Sequence, residues 1–310
     1  MRILIAGGTG QVGQILRRHF AGHEMVTLTR HPERIPGGVL WDGRTLGPWT
    51  RHLEGADVLI NLAGRSVNCR YHSRNRREIL ESRVASTKVL ADAVAGLGRP
   101  PTVWLQASTA TIYRHTFGSP HGENGEFGGD EPGAPAPWNF SIEVAKAWEA
   151  ETMRIRPEVR VVLMRSAMIM SPDPGGVFDT LLALVRVGLG GPLGGGRQFV
   201  SWIHEHDFCA AVDRLIRDQA MSGPVNLASP RPLANRDFLL ELRRAAHVPF
   251  GLPATRWMLE LGAWAMRTET ELVLKSRRVI PARLLANGFV FRFPEWAAAA
   301  EDLCRRSSRS

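Results

Sequence analysis

Short apolar runs alternate with stretches of helical periodicity along the first half of the chain. Apolar runs that stop at polar or glycine residues predict buried strands at 2–6, 25–29, 39–41, 58–62, 103–107 and 159–164. Between them, apolar residues spaced three or four apart predict helices at 12–20, 79–94 and 144–153. Strands that alternate with helices are typical of a doubly wound parallel sheet, so we expect an α/β protein.

The pattern changes after about residue 230, where strand-like runs fade and helical spacing dominates. Helices are predicted there at 236–246, 254–266 and 295–303. We therefore divide the chain into residues 1–228, which contain the sheet, and a smaller, mainly helical subdomain at 229–310 that covers the cleft. On the helix predicted at 254–266, we expect Trp257, Trp264 and Met266 to be core residues.

The composition is that of an ordinary globular protein. Of the 310 residues, 44% are hydrophobic and 22% are charged, which excludes a disordered chain and allows a sizeable core. The net charge is +9, but only three of the 39 basic residues are lysines. This bias fits a GC-rich genome better than nucleic-acid binding, because no RNA-binding aromatic signature or Cys/His finger accompanies the arginines. The densest run is Arg65, Arg70, Arg74, Arg76, Arg77 and Arg83, and apart from Arg83 we interpret it as a solvated helix face rather than a phosphate-binding surface.

Neither a membrane segment nor a disulfide framework is expected. The longest apolar stretch, 161–170, contains Arg165 and falls well short of the ~20 residues that cross a bilayer. The first residues lack the pattern of a secretory signal. Cys69, Cys209 and Cys304 are far apart in the sequence, which fits a reducing, cytoplasmic compartment.

The segment His204-Glu205-His206-Asp207 has the residue types of a metal site. Alternating histidines on a strand would share one face, and Asp207 could join them. We favour a structural interpretation with no metal, in which Asp207 caps the helix that follows.

The strongest chemical signal is a glycine-rich turn between the first predicted strand and the first helix. Its glycines lie where a tight turn, close approach of the backbone to a pyrophosphate, and close packing of helix on strand are needed. The helix N-terminus behind the turn offers unpaired N–H groups and a dipole that favours phosphate. The turn therefore predicts a Rossmann-type dinucleotide site, with contacts from Gly7, Thr9, Gly10, Gln11, Val12 and Gly13.

The end of the second predicted strand indicates which dinucleotide binds. A site for NAD places a carboxylate at this position to bind the ribose 2′-hydroxyl. This chain has Thr29 and Arg30 there, with no acidic residue before Glu33. Because a cation would bind the 2′-phosphate, the sequence favours NADP(H) as the cofactor over the alternative of an ordinary surface arginine.

Further motifs extend along nearly the whole chain. They are GGTGxxG at 7–13, Leu28-Thr29-Arg30, Trp41-Asp42, Asn61-Leu62-Ala63-Gly64, Glu78 with Ser82-Arg83, Trp148-Glu149, Leu163 with Arg165, the glycines of 188–198, Trp202-Ile203-His204 with Asp207, and Pro281, Leu284, Gly288-Phe289 and Phe291. Together they resemble the atypical short-chain dehydrogenase/reductases of the YfcH-like epimerase family. The last group is typical of the short C-terminal domain of that family.

The resemblance implies an extended Rossmann domain of the short-chain dehydrogenase type that binds NADP(H), followed by a small, mainly helical C-terminal subdomain. It implies that Thr29 and Arg30 contact the adenosine phosphate, beside the glycine turn. The other cofactor contacts that it implies are Asn61, Leu62, Ala63, Gly64, Glu78, Arg83 and Ile169. The first four end the fourth predicted strand, where open α/β sheets bind their ligands.

One feature departs from redox-active short-chain dehydrogenases, which usually pair a Ser or Thr with a Tyr and a Lys four residues later. Lys146 is present, but Ile142 stands four residues before it and cannot carry a proton. If the protein is an enzyme, another group beside the nicotinamide must transfer the proton. The candidates are Ser108 at the end of the fifth strand, Tyr113 on its exit loop, and Glu131 in the acidic loop at 115–137.

Two classes of function stay open at this point, because fold does not fix function. The favoured class is an NADP-dependent oxidoreductase or epimerase-like enzyme that acts on a small substrate, anionic or nucleotide-linked. The other is a non-catalytic NADP(H)-binding sensor or scaffold protein, which the missing Tyr-x-x-x-Lys pair supports. Neither class involves nucleic acid or a membrane. The sequence leaves the identity of the substrate and the oligomeric state open.

Overall fold

The structure is a computed structural model that describes residues 1–131, 135–255, 257–260 and 269–308. Its strands are β1 (Arg2–Ala6), β2 (Glu24–Thr29), β3 (Gly38–Leu40), β4 (Val58–Asn61), β5 (Val103–Thr109), β6 (Arg160–Ser166), β7 (Met168–Met170), β8 (Phe199–Val200), β9 (Trp202–His204), β10 (Gly223–Leu227) and β11 (Leu233–Ala234). Seven strands form one sheet in the order β10-β6-β5-β4-β1-β2-β3, and each neighbouring pair is parallel. The other four form two small pairs, β7 with β9 and β8 with β11.

Helices lie between the strands and dominate the C-terminal region. They are α1 (Gln11–His19), α2 (Ser73–Ala95), α3 (Ala136–Ala150), α4 (Val177–Arg186), α5 (Glu205–Arg217), α6 (Asn235–Ala245), α7 (Glu271–Leu274), α8 (Ala282–Ala286) and α9 (Trp296–Ser307). Short 3₁₀ helices occur at Pro32–Arg34, Pro48–His52, Ala110–Ile112 and Glu151–Arg154. Within the described part of the chain, no helix is long and apolar enough to span a bilayer. The predicted Rossmann-type α/β fold with a helical C-terminal region is confirmed.

Both faces of the sheet are covered. Ile3 and Ile5 of β1 belong to an apolar core shared with α1 and α5, whereas Leu4 and Ala6 belong to a second core shared with α2. A strand that is buried on both faces has apolar side chains at successive positions, which explains why the central strands are visible in the sequence. Because helices cover the faces, the edge at the carboxyl ends of the strands is where a ligand can reach the sheet.

A third apolar core holds the C-terminal helices. Trp296, at the start of α9, is 1% exposed and stacks on Phe238 of α6 with 4.1 Å between ring centroids. Its edge meets Trp202 of β9 at 4.9 Å, and its indole N–H donates to the carbonyl of Phe238 at 2.8 Å. The C-terminal helix α9 is therefore anchored to the strand pair β7–β9.

The predicted core position of Trp257 is wrong, because its side chain is 68% exposed. Trp264 and Met266 lie outside the described residues, as does most of the helix predicted at 254–266. Helical spacing alone does not show which face of a helix contacts the protein, and Trp257 occupies an outer face.

The expected cap of α5 by Asp207 is also wrong. The ring nitrogen Nδ1 of His204 accepts a hydrogen bond from the backbone N–H of His206 at 3.0 Å and so caps the helix. Burial of this histidine lowers its pKa to about 4. The carboxylate of Asp207 instead accepts hydrogen bonds from the backbone N–H groups of Arg292 and Phe293, at 2.8 and 2.9 Å. Asp207 therefore ties the C-terminal segment to α5.

Trp296→Ala is expected to lower the free energy of unfolding by about 3–5 kcal/mol, because it removes a buried aromatic side chain and leaves a cavity. Trp257→Ala is the matched control at an exposed tryptophan, and it should change this free energy by no more than about 0.5 kcal/mol. Denaturant unfolding of both variants measures the two values. A loss at Trp257 as large as that at Trp296 would contradict the packing described here.

Candidate functional site

The exit loops of β1 and β4 meet at the carboxyl edge of the sheet. The two strands are neighbours, with Ala6 beside Asn61. The strand order reverses between them, since β2 and β3 lie beyond β1 whereas β5, β6 and β10 lie beyond β4. Open α/β sheets bind ligands in the crevice at such a point. The residues that leave these two strands are therefore the first candidates for a binding site.

The glycine turn after β1 is closely packed at two of its glycines and open at a third. Gly7 has a φ of +77°, and a Cβ atom there would lie 2.8 Å from the Cα of Ala63 in the β4 loop. A Cβ atom on Gly13 would overlap the carbonyl group of Gly8, so α1 can pack against the turn only at a glycine. Around Gly10, no heavy atom of the described residues lies within 4 Å of the ideal Cβ position. The turn is therefore accessible to a ligand at Gly10.

Other predicted cofactor residues form the floor beside this turn. Val12, Leu62 and Ile169 come from three separate segments and pack against the same apolar core. The side chain of Gln11 lies against Gly176, next to the start of α4. Thr9 is exposed beside Gly10 at the tip of the turn. One apolar core is therefore shared by residues from α1, from the exit of β4 and from β7.

Arg30 supplies a free positive charge at the end of β2. Thr29 is buried, and its hydroxyl accepts the backbone N–H of His31 at 3.1 Å. Arg30 is exposed and makes no hydrogen bond or ion pair with any other residue that the structure describes. Glu33 pairs instead with His31 and Arg34, at 3.4 and 3.7 Å. An anion at this edge would therefore meet a guanidinium that no carboxylate neutralises.

Asn61 shapes the exit loop of β4 from inside. It is fully buried, and its amide N–H₂ donates to Thr87 and Gln106, at 3.1 and 3.0 Å. Its side-chain oxygen accepts the backbone N–H of Ala63 at 3.1 Å. The side chain of Asn61 therefore holds Ala63 and Gly64 beside the glycine turn.

Arg83 closes the same loop from the side of α2. Its Nη1 donates to the carbonyl groups of Arg65 and Ile79, both at 3.0 Å. Burial lowers the pKa of Arg83 to about 10. No carboxylate among the described residues forms an ion pair with it. Glu78, in contrast, pairs with Arg65 and with Arg74, the latter at 2.8 Å.

Two of the predicted proton donors, Ser108 and Tyr113, belong to one buried network behind β5. Ser108 Oγ donates to Glu149 at 2.5 Å, and Glu149 accepts two N–H groups of Arg165 at 2.8 and 2.7 Å. Arg165 also donates to the hydroxyl of Tyr113 at 2.9 Å, which itself donates to Asn226 at 2.7 Å. Burial raises the pKa of Tyr113. Both hydroxyls are therefore engaged by side chains of the fold.

Glu131, the third candidate, does not join this network. Its carboxylate accepts the backbone N–H groups of Gly129 and His115, at 2.6 and 3.1 Å. Burial alone would raise the pKa of Glu131. The hydrogen bonds stabilise the charged carboxylate more strongly and hold its pKa below the ordinary value. The three candidates do not converge, and which of them contacts a substrate stays a prediction.

The lysine of the missing Tyr-x-x-x-Lys pair has a structural partner. Lys146 Nζ donates to the carbonyl of Gly128 at 2.9 Å. Ile142, at the position of the tyrosine, is 1% exposed. The side chain at the tyrosine position itself therefore cannot exchange a proton.

A further hydroxyl, which the sequence pattern did not single out, lies on the opposite face of the same strand. β5 extends to Thr109, beyond its predicted end, and successive strand residues point to opposite faces. Thr109 thus points away from the Ser108 network and is half-buried. Its Oγ1 accepts the backbone N–H of Thr111 at 3.1 Å. Because side chains alternate between the two faces of a strand, the sequence alone indicates that Thr109 and Ser108 point to opposite faces.

Charged residues of the C-terminal region, which the sequence did not predict as site residues, pack against the exit of β5. Lys275 Nζ donates to the carbonyl of Thr111 at 2.8 Å, and Arg277 Nε donates to the hydroxyl of Thr111 at 3.1 Å. Glu271 accepts a hydrogen bond from Ser141 of α3 at 2.5 Å. No local pattern singles out these residues, because contacts between distant parts of the chain bring them together.

Gly13→Ala is expected to lower the free energy of unfolding by about 1–3 kcal/mol, because the new methyl group overlaps the carbonyl of Gly8. Gly10 has an ordinary φ of −75° and open space around it, so Gly10→Ala should stay within about 0.5 kcal/mol of the wild type. Denaturant unfolding compares the two variants. Equal stability of both would show that α1 does not pack on the turn as described.

The chain matches known proteins along almost its whole length. Residues 3–228 match the NAD dependent epimerase/dehydratase family, and residues 254–303 match a domain of unknown function, DUF1731. The chain is 29% identical over 312 residues to the human epimerase family protein SDR39U1, which covers 98% of this chain and 99% of that protein. It is 30% identical over 310 residues to the epimerase family protein SA0724 of Staphylococcus aureus (strain N315), which covers 97% and 98%.

Solved structures agree with these matches. A crystal structure of human SDR39U1 (isoform 2) with NADPH has a TM-score of 0.86 to this fold at 28% identity, covering 98% of this chain and 99% of that one. The resemblance to the epimerase family proteins is therefore confirmed. The chain belongs to the NAD dependent epimerase/dehydratase family, in the group of SDR39U1-like epimerase family proteins that carry the DUF1731 domain.

Proposed function

We propose that this chain is an NADP(H)-dependent enzyme, an oxidoreductase or epimerase-like enzyme, that acts on a small molecule at the carboxyl edge of the sheet. One observation carries the proposal, namely an open glycine turn beside a free cation. Gly10 leaves room for a pyrophosphate, and Arg30 has no anionic partner within the described residues. In shape and charge, this arrangement fits a dinucleotide that carries a 2′-phosphate.

The residues at this edge fit the cofactor part by part. No side chain among the described residues caps α1 and no acidic residue lies in its first turn, so these leave its first N–H groups free for a pyrophosphate. Arg30 would bind the 2′-phosphate, while Leu62 and Ile169 would shield the cleft floor from water. When bound, NADP(H) would supply or accept a hydride. The presence of NADPH in the SDR39U1 structure supports this choice of cofactor.

We propose that Thr109 donates the hydrogen bond to the oxygen of the reacting group. Ser108 and Tyr113 already hold Glu149 and Arg165, so their proposed role is to position the edge of β5. The Thr109 oxygen accepts an N–H, which leaves its hydroxyl hydrogen to be donated. Glu131 stays a candidate acid from the loop side.

A second candidate function is a non-catalytic NADP(H)-binding sensor or scaffold protein. The observation that favours it is the environment of Lys146, which binds a backbone carbonyl beside the buried Ile142. A redox-active site would need a proton-exchanging group there, or another group in its place. The two functions share the same cofactor site and differ only in whether a substrate turns over.

We place this function in the cytoplasm. Cys69, Cys209 and Cys304 are free thiols, and the last two are buried. Burial raises the pKa of Cys209 to about 12 and that of Cys304 to about 11. Thiols that stay protonated in this way behave as small apolar side chains, which fits a reducing compartment.

Arg30→Ala is expected to weaken NADPH binding roughly 10- to 100-fold, because a hydrogen bond between charged groups contributes about 1.5–3 kcal/mol. Binding of NADH should hardly change. The control is Arg99→Ala, an arginine before β5 whose side chain is 81% exposed, and it should alter neither affinity. Calorimetric titration with both nucleotides measures the effect. Equal affinities of the wild type for NADPH and NADH would refute the assignment.

Turnover is tested by NADPH oxidation with a panel of carbonyl compounds. We expect Thr109→Val to lower kcat/KM by about 100-fold or more, because the hydrogen-bond donor to the reacting oxygen is lost. Ser108→Ala and Tyr113→Phe should lower the free energy of unfolding by about 1–3 kcal/mol, since each leaves buried polar partners unpaired. Glu131→Gln lowers the rate if this residue is the acid. If the wild type turns over and no variant differs from it, these roles are wrong. Tight NADPH binding without NADPH oxidation would refute the oxidoreductase and leave the sensor or an epimerase-like enzyme, because an epimerase regenerates its cofactor.

A further inference from the structure

A cluster of charged and hydroxyl side chains joins the C-terminal region to the exit of β5. We call it the Lys275 cluster, and it consists of Thr111, Ser141, Glu271, Lys275 and Arg277. Glu271 and Lys275 are each 1% exposed, and the side chain of Arg277 is 11% exposed. Arg277 donates to the hydroxyl of Thr111 at 3.1 Å and to the carbonyl of Glu271 at 3.3 Å. The cluster is therefore one connected group of contacts.

The cluster contains more positive than negative charge. Arg277 lies 3.6 Å from Glu271, but Lys275 has no carboxylate within ion-pair distance among the described residues. Its ammonium group donates to the carbonyl of Thr111 at 2.8 Å. Glu131 is another carboxylate near Lys275, but it accepts backbone N–H groups and does not pair with the ammonium. A buried cation without a paired anion is unfavourable, and burial accordingly lowers the pKa of Lys275 to about 8.

The backbone fixes these charges in place. The segment that carries Lys275 and Arg277 is held from two sides, since the N–H of Arg277 donates to Phe199 at 2.9 Å and the N–H of Ile280 donates to His121 at 2.9 Å. Because both anchors are main-chain hydrogen bonds, the backbone that carries the two cations is positioned before any ligand arrives. Such preorganisation lowers the entropy lost on binding.

The cluster lies beside the proposed reaction site. Thr111 follows Thr109 by two residues, and β5 is the direct neighbour of β4, whose exit loop belongs to the cofactor site. Thr111, Ser141 and Arg277 are partly accessible, so the cluster has an open side. Since the backbone N–H of Thr111 donates to Thr109 Oγ1 at 3.1 Å, the cluster directly contacts the proposed reaction site.

We propose that the Lys275 cluster binds an anionic group of the substrate, a carboxylate or a phosphate. This inference rests on the proposed function and names the substrate class, a small carbonyl or alcohol compound with an anionic substituent. The anion would bridge the ammonium of Lys275 and the guanidinium of Arg277, whose planar fork matches such oxygens. The hydroxyls of Thr111 and Ser141 would bind its remaining oxygens. The C-terminal region thus supplies the specificity for the substrate.

The small number of lysines makes the cluster visible by NMR. The chain contains Lys88, Lys146 and Lys275 only, so selective ¹³C labelling of lysine gives three side-chain signals. Three pH titrations of the NADPH-bound protein are compared. The first contains no added anion, the second contains inorganic phosphate, and the third contains malonate. We expect one signal to titrate near pH 8, and we expect phosphate or malonate to move that midpoint to higher pH, because the anion stabilises the charged ammonium. The other two midpoints should not move.

Lys275→Met and Lys146→Met form a matched pair, because both lysines donate to a backbone carbonyl, at 2.8 and 2.9 Å. We expect Lys275→Met to weaken binding of the effective anion at least tenfold in calorimetry. Lys146→Met should leave it unchanged, and both variants should bind NADPH within about twofold of the wild type. Arg277→Lys keeps the positive charge but removes the planar guanidinium, so we expect a loss of anion affinity between that of Lys146→Met and that of Lys275→Met. If Lys275→Met does not fold, the Lys146→Met and Lys88→Met spectra identify the Lys275 signal by elimination.

The outcomes separate this inference from the proposed function. If phosphate alone moves the Lys275 signal, the substrate carries a phosphate, and if malonate alone does so, it carries a carboxylate. If NADPH binds and neither anion moves the signal, the anion site is refuted while the cofactor assignment stands. If NADPH itself does not bind, the proposed function fails and this inference fails with it.

Discussion

The buried ion pair between Glu149 and Arg165 holds α3, β5 and β6 together at the carboxyl edge of the sheet. Their side chains are 10% and 4% exposed, and they join α3 to β6 through two hydrogen bonds of 2.8 and 2.7 Å. Ser108 of β5 and Tyr113 on its exit loop complete the pair's hydrogen bonds. Removal of one partner from such a pair leaves an uncompensated buried charge, which typically costs about 3–5 kcal/mol. The position from which Thr109 and Thr111 leave the sheet depends on this pair.

Two positively charged groups lie along the carboxyl edge, and they come from different regions of the chain. The N-terminal part contributes the open glycine turn and Arg30, whose charge is not neutralised by any described residue. The C-terminal part contributes Lys275 and Arg277 beside the exit of β5. A dinucleotide phosphate in the first part and an anionic substrate in the second would each supply the missing negative charge. In the proposed arrangement, the C-terminal domain would supply the charges that bind the substrate.

The sequence predicts those parts of the molecule that depend on local pattern. The central strands are buried on both faces and therefore appear as apolar runs, and the glycine turn follows directly from its spacing. β10 was not predicted because it begins with Gly223 and Pro224. Proline in particular occurs in sheets mainly on edge strands. The hydrogen-bond partners of Ser108 and Tyr113 could not be predicted, because they are remote in sequence and only the fold brings them together.

The central claim is that the carboxyl edge binds NADP(H) between the glycine turn and Arg30, with the reacting end beside Thr109. A crystal structure of the protein with NADPH tests it most directly. The account predicts the pyrophosphate at Gly10 and the 2′-phosphate within about 3 Å of the Arg30 guanidinium. It also predicts the nicotinamide next to the end of β5. A nucleotide bound elsewhere, or a 2′-phosphate that does not contact Arg30, would contradict the account.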